Sequence, residues 1–253
     1  MDVVAGVDGL QAEHGPLFAV VGVFDGLHRG HLYLLDHLER EADARGARAA
    51  VITFDHHPDE VITGTAPPLL MDPQERLERL AAAGVDVTVV QHFDEEVRRT
   101  TYDAFIEQIR FRTALAGLVM TPDAAFGFER RGTPSALAAL GASDGFDVVV
   151  VPPFTLDGRS VRSADIRAAI AAGDLATAEA LLGRPVTISA TAGVAHDGLD
   201  SPLSFPWPLA LPPDGRYRSR VGGLEATLTI DRGQARLSGI LVDPGRIEIA
   251  LAG

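Results

Sequence analysis

The sequence predicts an α/β protein: a parallel sheet with helices on both faces, followed by a small antiparallel β domain. Three observations carry this. Short apolar runs alternate with amphipathic stretches through the first two thirds of the chain, as in successive strand–helix–strand units. The first strong apolar run ends in a glycine-broken turn that leads straight into a helical pattern. After Leu182 the chain changes to short β-like runs punctuated by glycine and proline. The expected domains are therefore 1–184 and 185–253.

Strands are expected at 17–23, 47–54, 85–90, 117–120 and 146–151, each a short run rich in Val, Leu, Ile or Phe. Helices are expected between and after them. The stretch 30–45 puts Leu34, Leu35 and Leu38 on one face and stops at Gly46. The stretch 72–83 opens on Asp-Pro, a helix start, and closes on Gly84. Helical patterns follow at 101–115 and 134–140, then at 163–172 and 174–182, the last two separated by Gly173. Beyond Gly183-Arg184-Pro185, β runs are expected at 186–190, 216–221, 225–230, 235–242 and 246–250. Turns at 197–198, 214–215, 222–223, 232–233 and 243–245 divide them into a small antiparallel sheet or barrel.

Composition narrows the function. The 253 residues are 46% hydrophobic and 23% charged, ordinary globular material, with a net charge of −13. A field of that sign repels nucleic acid, so no nucleic-acid partner is expected. It also repels nucleotides, so any phosphate site must be locally basic. The chain has no lysine, so that basic character has to come from His, Arg and helix starts. There is no cysteine and hence no thiolate chemistry, and no asparagine. No apolar run approaches the roughly 20 residues of a membrane span. The start Met1-Asp2-Val3 lacks a basic leader, and the expectation is a cytoplasmic chain without a membrane partner. Oligomeric state is left open.

The most informative segment is Gly22-Val23-Phe24-Asp25-Gly26-Leu27-His28-Arg29-Gly30-His31. It joins the first apolar run to a helix. A helix start presents unpaired N–H groups and partial positive charge, so it favours phosphates. Histidines two and five residues beyond the Gly26 turn add donors to the same anion. There is neither a Gly-Lys-Ser/Thr phosphate loop nor a Gly-x-Gly-x-x-Gly dinucleotide turn. Ligands of parallel sheets bind at the carboxyl ends of the strands, where His28 and His31 are expected.

These residues resemble the His-x-Gly-His signature of the nucleotidyltransferase superfamily. The longer form is similar to that of the bacterial FAD synthetase family of bifunctional riboflavin kinase/FMN adenylyltransferases. The resemblance implies a Rossmann-like nucleotidyltransferase domain, transfer of AMP from ATP to FMN, and Mg²⁺ arriving with ATP. It implies ATP-binding roles for Gly22, Phe24, Asp25, Gly30 and Arg162, and catalytic roles for His28, His31, Ser163 and Arg167. No protein ligand set for a metal is implied.

Three further segments carry it. Thr53-Phe54-Asp55-His56-His57-Pro58 resembles Thr-Phe-x-Pro-His-Pro, with His56 in place of proline, and implies His57 and Pro58 as flavin-binding. The stretch from Thr121 to Gly132 resembles the flavin segment and implies Asp123, Phe126, Gly127 and Arg130; Thr121 and Ala124 depart from the pattern. Arg162-Ser163-Ala164-Asp165-Ile166-Arg167 resembles Ser-Ser-Thr-x-Ile-Arg, with Ser163 expected also to cap its helix. Arg162 and Ala164 depart there. The Leu182-Gly183-Arg184-Pro185 junction also matches.

Beyond it the resemblance thins. The family's Gly-Phe-Pro-Thr-Ala-Asn kinase motif corresponds to Ser204-Phe205-Pro206-Trp207-Pro208-Leu209. The expectation is a small, barrel-like kinase remnant without riboflavin kinase activity. Two alternatives stay open: a nucleotidyltransferase with another phosphate acceptor, and a non-catalytic flavin- or nucleotide-binding protein.

Overall fold

The computed structural model of the chain describes residues 1–195 and 200–252; the expected turn at 197–198 lies outside them. The contacts divide the chain into two compact units, 1–24, 30–67 and 77–160 in the first, and 25–29, 68–76 and 161–253 in the second.

The first unit contains β1 (Asp2–Ala5), β2 (Leu17–Val21), α1 (Arg29–Ala44), β3 (Arg48–Phe54) and α2 (Asp59–Thr63). It continues with α3 (Pro73–Ala82, whose first turn groups with the second unit), β4 (Val87–Gln91), α4 (Glu95–Arg99), α5 (Tyr102–Arg112), β5 (Leu115–Met120), α6 (Pro134–Asp144) and β6 (Asp147–Val150). A hairpin of β7 (Thr155–Leu156) and β8 (Arg159–Ser160) closes it. The expected strands and longer helices are present, with ends shifted by a few residues. The short β1, α2 and α4 were not anticipated, because four or five residues are too few to show a period.

The sheet runs β1-β4-β3-β2-β5-β6, parallel throughout. Successive strand residues point to opposite faces. Leu17 and Ala19 join one core cluster with Phe105, Ile106, Ile109 and Leu137. Their neighbours Phe18 and Val20 are equally buried on the other face, where the Arg45 guanidinium lies over the Phe18 ring at 4.8 Å. Both faces are therefore covered, as the unbroken apolar strands require. Strand order reverses direction at β2, which lies between β3 and β5. The carboxyl end of β2 is thus the switch point where parallel sheets open a binding crevice.

The second unit contains α7 (Ser163–Ala171), α8 (Leu175–Leu182) and six strands: β9 (Thr187–Ala192), β10 (Asp200–Ser204), β11 (Gly215–Val221), β12 (Leu224–Asp231), β13 (Gln234–Ser238) and β14 (Gly245–Leu251). The strands close into an antiparallel barrel in the order β10-β13-β12-β11-β14-β9. Alternate residues Ala226, Leu228 and Ile230 of β12, with Ile188, Leu237 and Ile249, are buried. The expected run 235–242 stops at Ser238 because Gly239 turns the chain at φ 94°. Strand β10 was not foreseen; Pro202 within it argues against a strand.

Position 184/185 falls in the loop between α8 and β9, but the compact units are divided elsewhere. Helices α7 and α8 group with the barrel and with segments 25–29 and 68–76. Backbone bonds tie Leu69 to the chain at 208–210: Leu69 N–H donates to the Pro208 carbonyl, and Ala210 N–H donates to the Leu69 carbonyl, each at 2.7 Å.

Candidate active site

Residues 22–31 leave the sheet through a strained turn. Gly22 N–H still donates to the Ile52 carbonyl at 3.0 Å. The chain then takes left-handed conformations at Phe24 (φ 53°), Gly26 (φ 85°) and Leu27 (φ 31°). A non-glycine residue held this way costs on the order of 1–3 kcal/mol, and such strain collects at functional sites. Burial of 24–28 holds the turn in place. At Gly26 a Cβ would approach Leu70 Cδ1 to 2.7 Å.

Helix α1 begins at Arg29, immediately after His28. His28 is 4% exposed. Burial pushes its imidazole down to about 4, and the nearby charges of Arg167 and Arg184 act in the same direction. At neutral pH His28 is therefore an uncharged hydrogen-bonding group. His31 is half-buried, and its ring packs against Phe24 with centroids 5.1 Å apart.

Asp25 has a different position from that of a solvent-facing ATP ligand. It is 3% exposed. Its carboxylate accepts the Leu70 N–H at 2.9 and 3.0 Å and the Arg167 guanidinium at 2.6 Å. Its carbonyl accepts the Ser163 hydroxyl at 2.9 Å. Arg167 Nε donates to the Pro68 carbonyl at 2.7 Å, and Arg184 to the Gly26 carbonyl at 2.9 Å. Burial raises the Asp25 carboxyl above its ordinary value, while Arg167 and the Leu70 N–H pull it down.

This network joins the 25–28 turn to the start of α7. The cap of α7 is Arg162, which is exposed. Ser163 does not cap the helix as the sequence suggested, because its hydroxyl is directed to Asp25. The structural partners at Pro68 and Leu70 were invisible in the sequence, where Leu69-Leu70 is simply an apolar pair before a helix.

Of the residues expected to bind flavin, His57, Pro58, Phe126, Gly127 and Arg130 come together in the first unit, beside Gly22 of the set expected for ATP. Gly22, His57, Pro58, Phe126, Gly127 and Arg130 line a cleft of about 670 Å³, with Phe54, Phe93, Phe105, Phe128 and Ala124. Asp123 is not part of this lining; it is exposed, and its carboxylate accepts the Thr121 hydroxyl at 2.9 Å. The loop is held by reciprocal bonds between the backbones of Phe126 and Gly132, at 3.3 and 2.9 Å. At Gly127, φ is 75° and a Cβ would meet Tyr102 N at 2.5 Å. Glycine is required there on both counts.

A family model described as FAD synthetase matches residues 10–165. The chain belongs to the FAD synthetase family. That membership sets it among transferases of FAD biosynthesis, within riboflavin metabolism. The bifunctional riboflavin kinase/FMN adenylyltransferase of Escherichia coli (strain K12) is 33% identical over 244 residues, covering 95% of this chain and 77% of the relative. The protein of the same name from Haemophilus influenzae is 37% identical over 170 residues, covering 66% of this chain and 55% of the relative. A solved structure described as a macrolide-efflux protein from Streptococcus pneumoniae superposes with a TM-score of 0.81. It covers 99% of this chain and 90% of its own at 20% identity, a likeness of fold. Among the described residues no helix is long and apolar enough to cross a membrane.

Proposed function

We propose that this FAD synthetase family member transfers AMP from ATP to FMN, releasing pyrophosphate and forming FAD, and that it does not phosphorylate riboflavin. The observation that carries the acceptor is the cleft shared by His57, Pro58, Phe126, Gly127 and Arg130. It is walled by aromatic rings suited to a planar ring system and carries two arginines: Arg130, suited to a phosphate, and Arg98, which is paired with Glu95.

In the reaction, an oxygen of the FMN phosphate attacks the α-phosphorus of ATP in line. The new P–O bond forms as the bond to pyrophosphate breaks. Such a transfer needs positioning and charge neutralisation, with no covalent nucleophile on the protein. MgATP is the substrate form. His28, neutral and buried, and His31 donate hydrogen bonds to the triphosphate beside Gly30 and the amide groups opening α1. The resemblance gives Arg162, exposed at the start of α7, a role in binding ATP. Ser163 and Arg167 hold the Asp25 turn so that His28 keeps its place.

The absence of kinase activity is supported by the segment 204–209. Trp207, Pro208 and Leu209 offer no side-chain oxygen to a metal. The Pro208 carbonyl is occupied by the Leu69 N–H.

A second reading has one observation in its favour. Ala124 lines the cleft at one of the positions that depart from the flavin segment, which leaves room for a bulkier phosphate acceptor. The test is incubation with ATP, Mg²⁺ and FMN, followed by chromatographic separation of flavins. FAD formation is expected. Its absence, with ATP–pyrophosphate exchange dependent on another phosphate monoester, would replace FMN by that acceptor. No turnover with any acceptor would leave a binding protein.

A further inference from the structure

We propose that Asp55, His56 and His92 form a binding site for one divalent transition-metal ion, of which Zn²⁺ fits best, at the carboxyl ends of β3 and β4. The ligand atoms of the three side chains lie within 4.8 Å of one another. The sheet register brings them together. Phe54 pairs with Gln91 across β3 and β4, and Asp55 N–H donates to the Gln91 carbonyl at 3.1 Å. Asp55 and His92 therefore leave adjacent parallel strands side by side, although 37 positions apart in sequence.

The carboxylate is the hub. One oxygen faces His56 Nδ1 at 2.7 Å and the other faces His92 Nδ1 at 2.6 Å. The first oxygen also accepts N–H groups from His56 at 2.9 Å and Phe93 at 3.3 Å. Those backbone donors orient the carboxylate, as supporting groups around metal ligands do. Two imidazoles and one carboxylate suit Zn²⁺ and its late first-row neighbours, and leave positions for water. Bonds of about 2.0–2.2 Å in tetrahedral array set ligand atoms about 3.3 Å apart. Rotation of the half-exposed Asp55 and of His92, whose side chain is 67% exposed, opens the present contacts of 2.7 and 2.6 Å by the needed ~0.6–0.7 Å.

His56 stands where the resembled pattern has proline, so the third ligand is a feature of this chain. His57 and Phe93, the neighbours of His56 and His92 in sequence, line the cleft. A bound ion would cross-link the two strand ends that carry that wall.

The test uses the full chain without a histidine tag, stripped of metal by chelator. Co²⁺ is titrated while visible d–d absorption is followed, then displaced with Zn²⁺. One equivalent is expected, with a raised Tm in Zn²⁺. His56→Pro and His92→Gln should each abolish the saturable signal, whereas His14→Ala retains it; far-UV circular dichroism checks folding. Asp55→Asn, nearly isosteric, is the substitute if either variant fails to fold. No saturable binding by the native chain, or one equivalent that persists in the variants, overturns the site and leaves Asp55–His hydrogen bonding alone.

Discussion

Arg167 and Asp25 form a buried ion pair at 2.6 Å, with side chains 15% and 3% exposed, across 142 positions of sequence. It stands at the centre of the network that holds the His28 turn. Removing one partner of such a pair leaves an uncompensated buried charge. Arg167→Ala is expected to cost about 3–5 kcal/mol of stability. The double variant Asp25→Ala/Arg167→Ala should lose less than the sum of the single losses. Urea unfolding of all four proteins measures the coupling, and strict additivity would show that the pair is inert.

Acid sensitivity should come in part from His28. Its folded value of about 4 lies below the ordinary 6.5, so between these limits the unfolded chain binds the additional proton. Stability then falls as pH drops from about 6.5 to about 4, by up to about 3 kcal/mol from this group. His28→Gln should flatten that part of the profile. Equal pH slopes for the two proteins would place the His28 ring in contact with solvent.

His31→Ala is expected to lower the rate of FAD formation by roughly 10²–10³, the scale for one preorganised donor at a developing charge. The packing of His31 on Phe24 adds a small loss of stability, visible as a modest decrease in Tm. A near-native rate would make the histidine a packing group only.

Gly127→Ala should destabilise the cleft twice over. It forces a Cβ to 2.5 Å from Tyr102 N, and it disfavours the φ of 75°. Weaker FMN binding, followed through quenching of flavin fluorescence, is the expected result, with the barrel still folded. Unchanged affinity would remove the 126–130 loop from the flavin site.

Riboflavin with ATP and Mg²⁺ should give no FMN above an enzyme-free control. FMN formation above that control would restore the bifunctional reading.

Much of the parallel sheet was legible because its signals are local. Each run of β-branched and apolar residues declares a strand, and Gly46, Gly84 and Gly183 end helices where the chain must turn left-handed. The turn from Gly22 to His31 could be read in the same way, since glycines and a helix start have the same meaning in any context. Strand β10 was not legible, because it holds Pro202 and forms through pairing with β9 and β13, a closure of the barrel that outweighs the local preference of proline against strand.

Sequence alone determined the alternation of strand and helix, the phosphate-type turn at the end of β2 and the resemblance to FAD synthetases. Tertiary structure decided what the polar side chains do. It turned Asp25 from a candidate ligand into a buried strut, directed Ser163 away from its helix cap, and excluded Asp123 from the cleft that Phe126 and Arg130 share. It also brought His92 to Asp55. Helix and strand patterns depend on neighbours within a few residues. The partner of a carboxylate is set by strand register and loop closure over tens to hundreds of residues, and no local pattern records it.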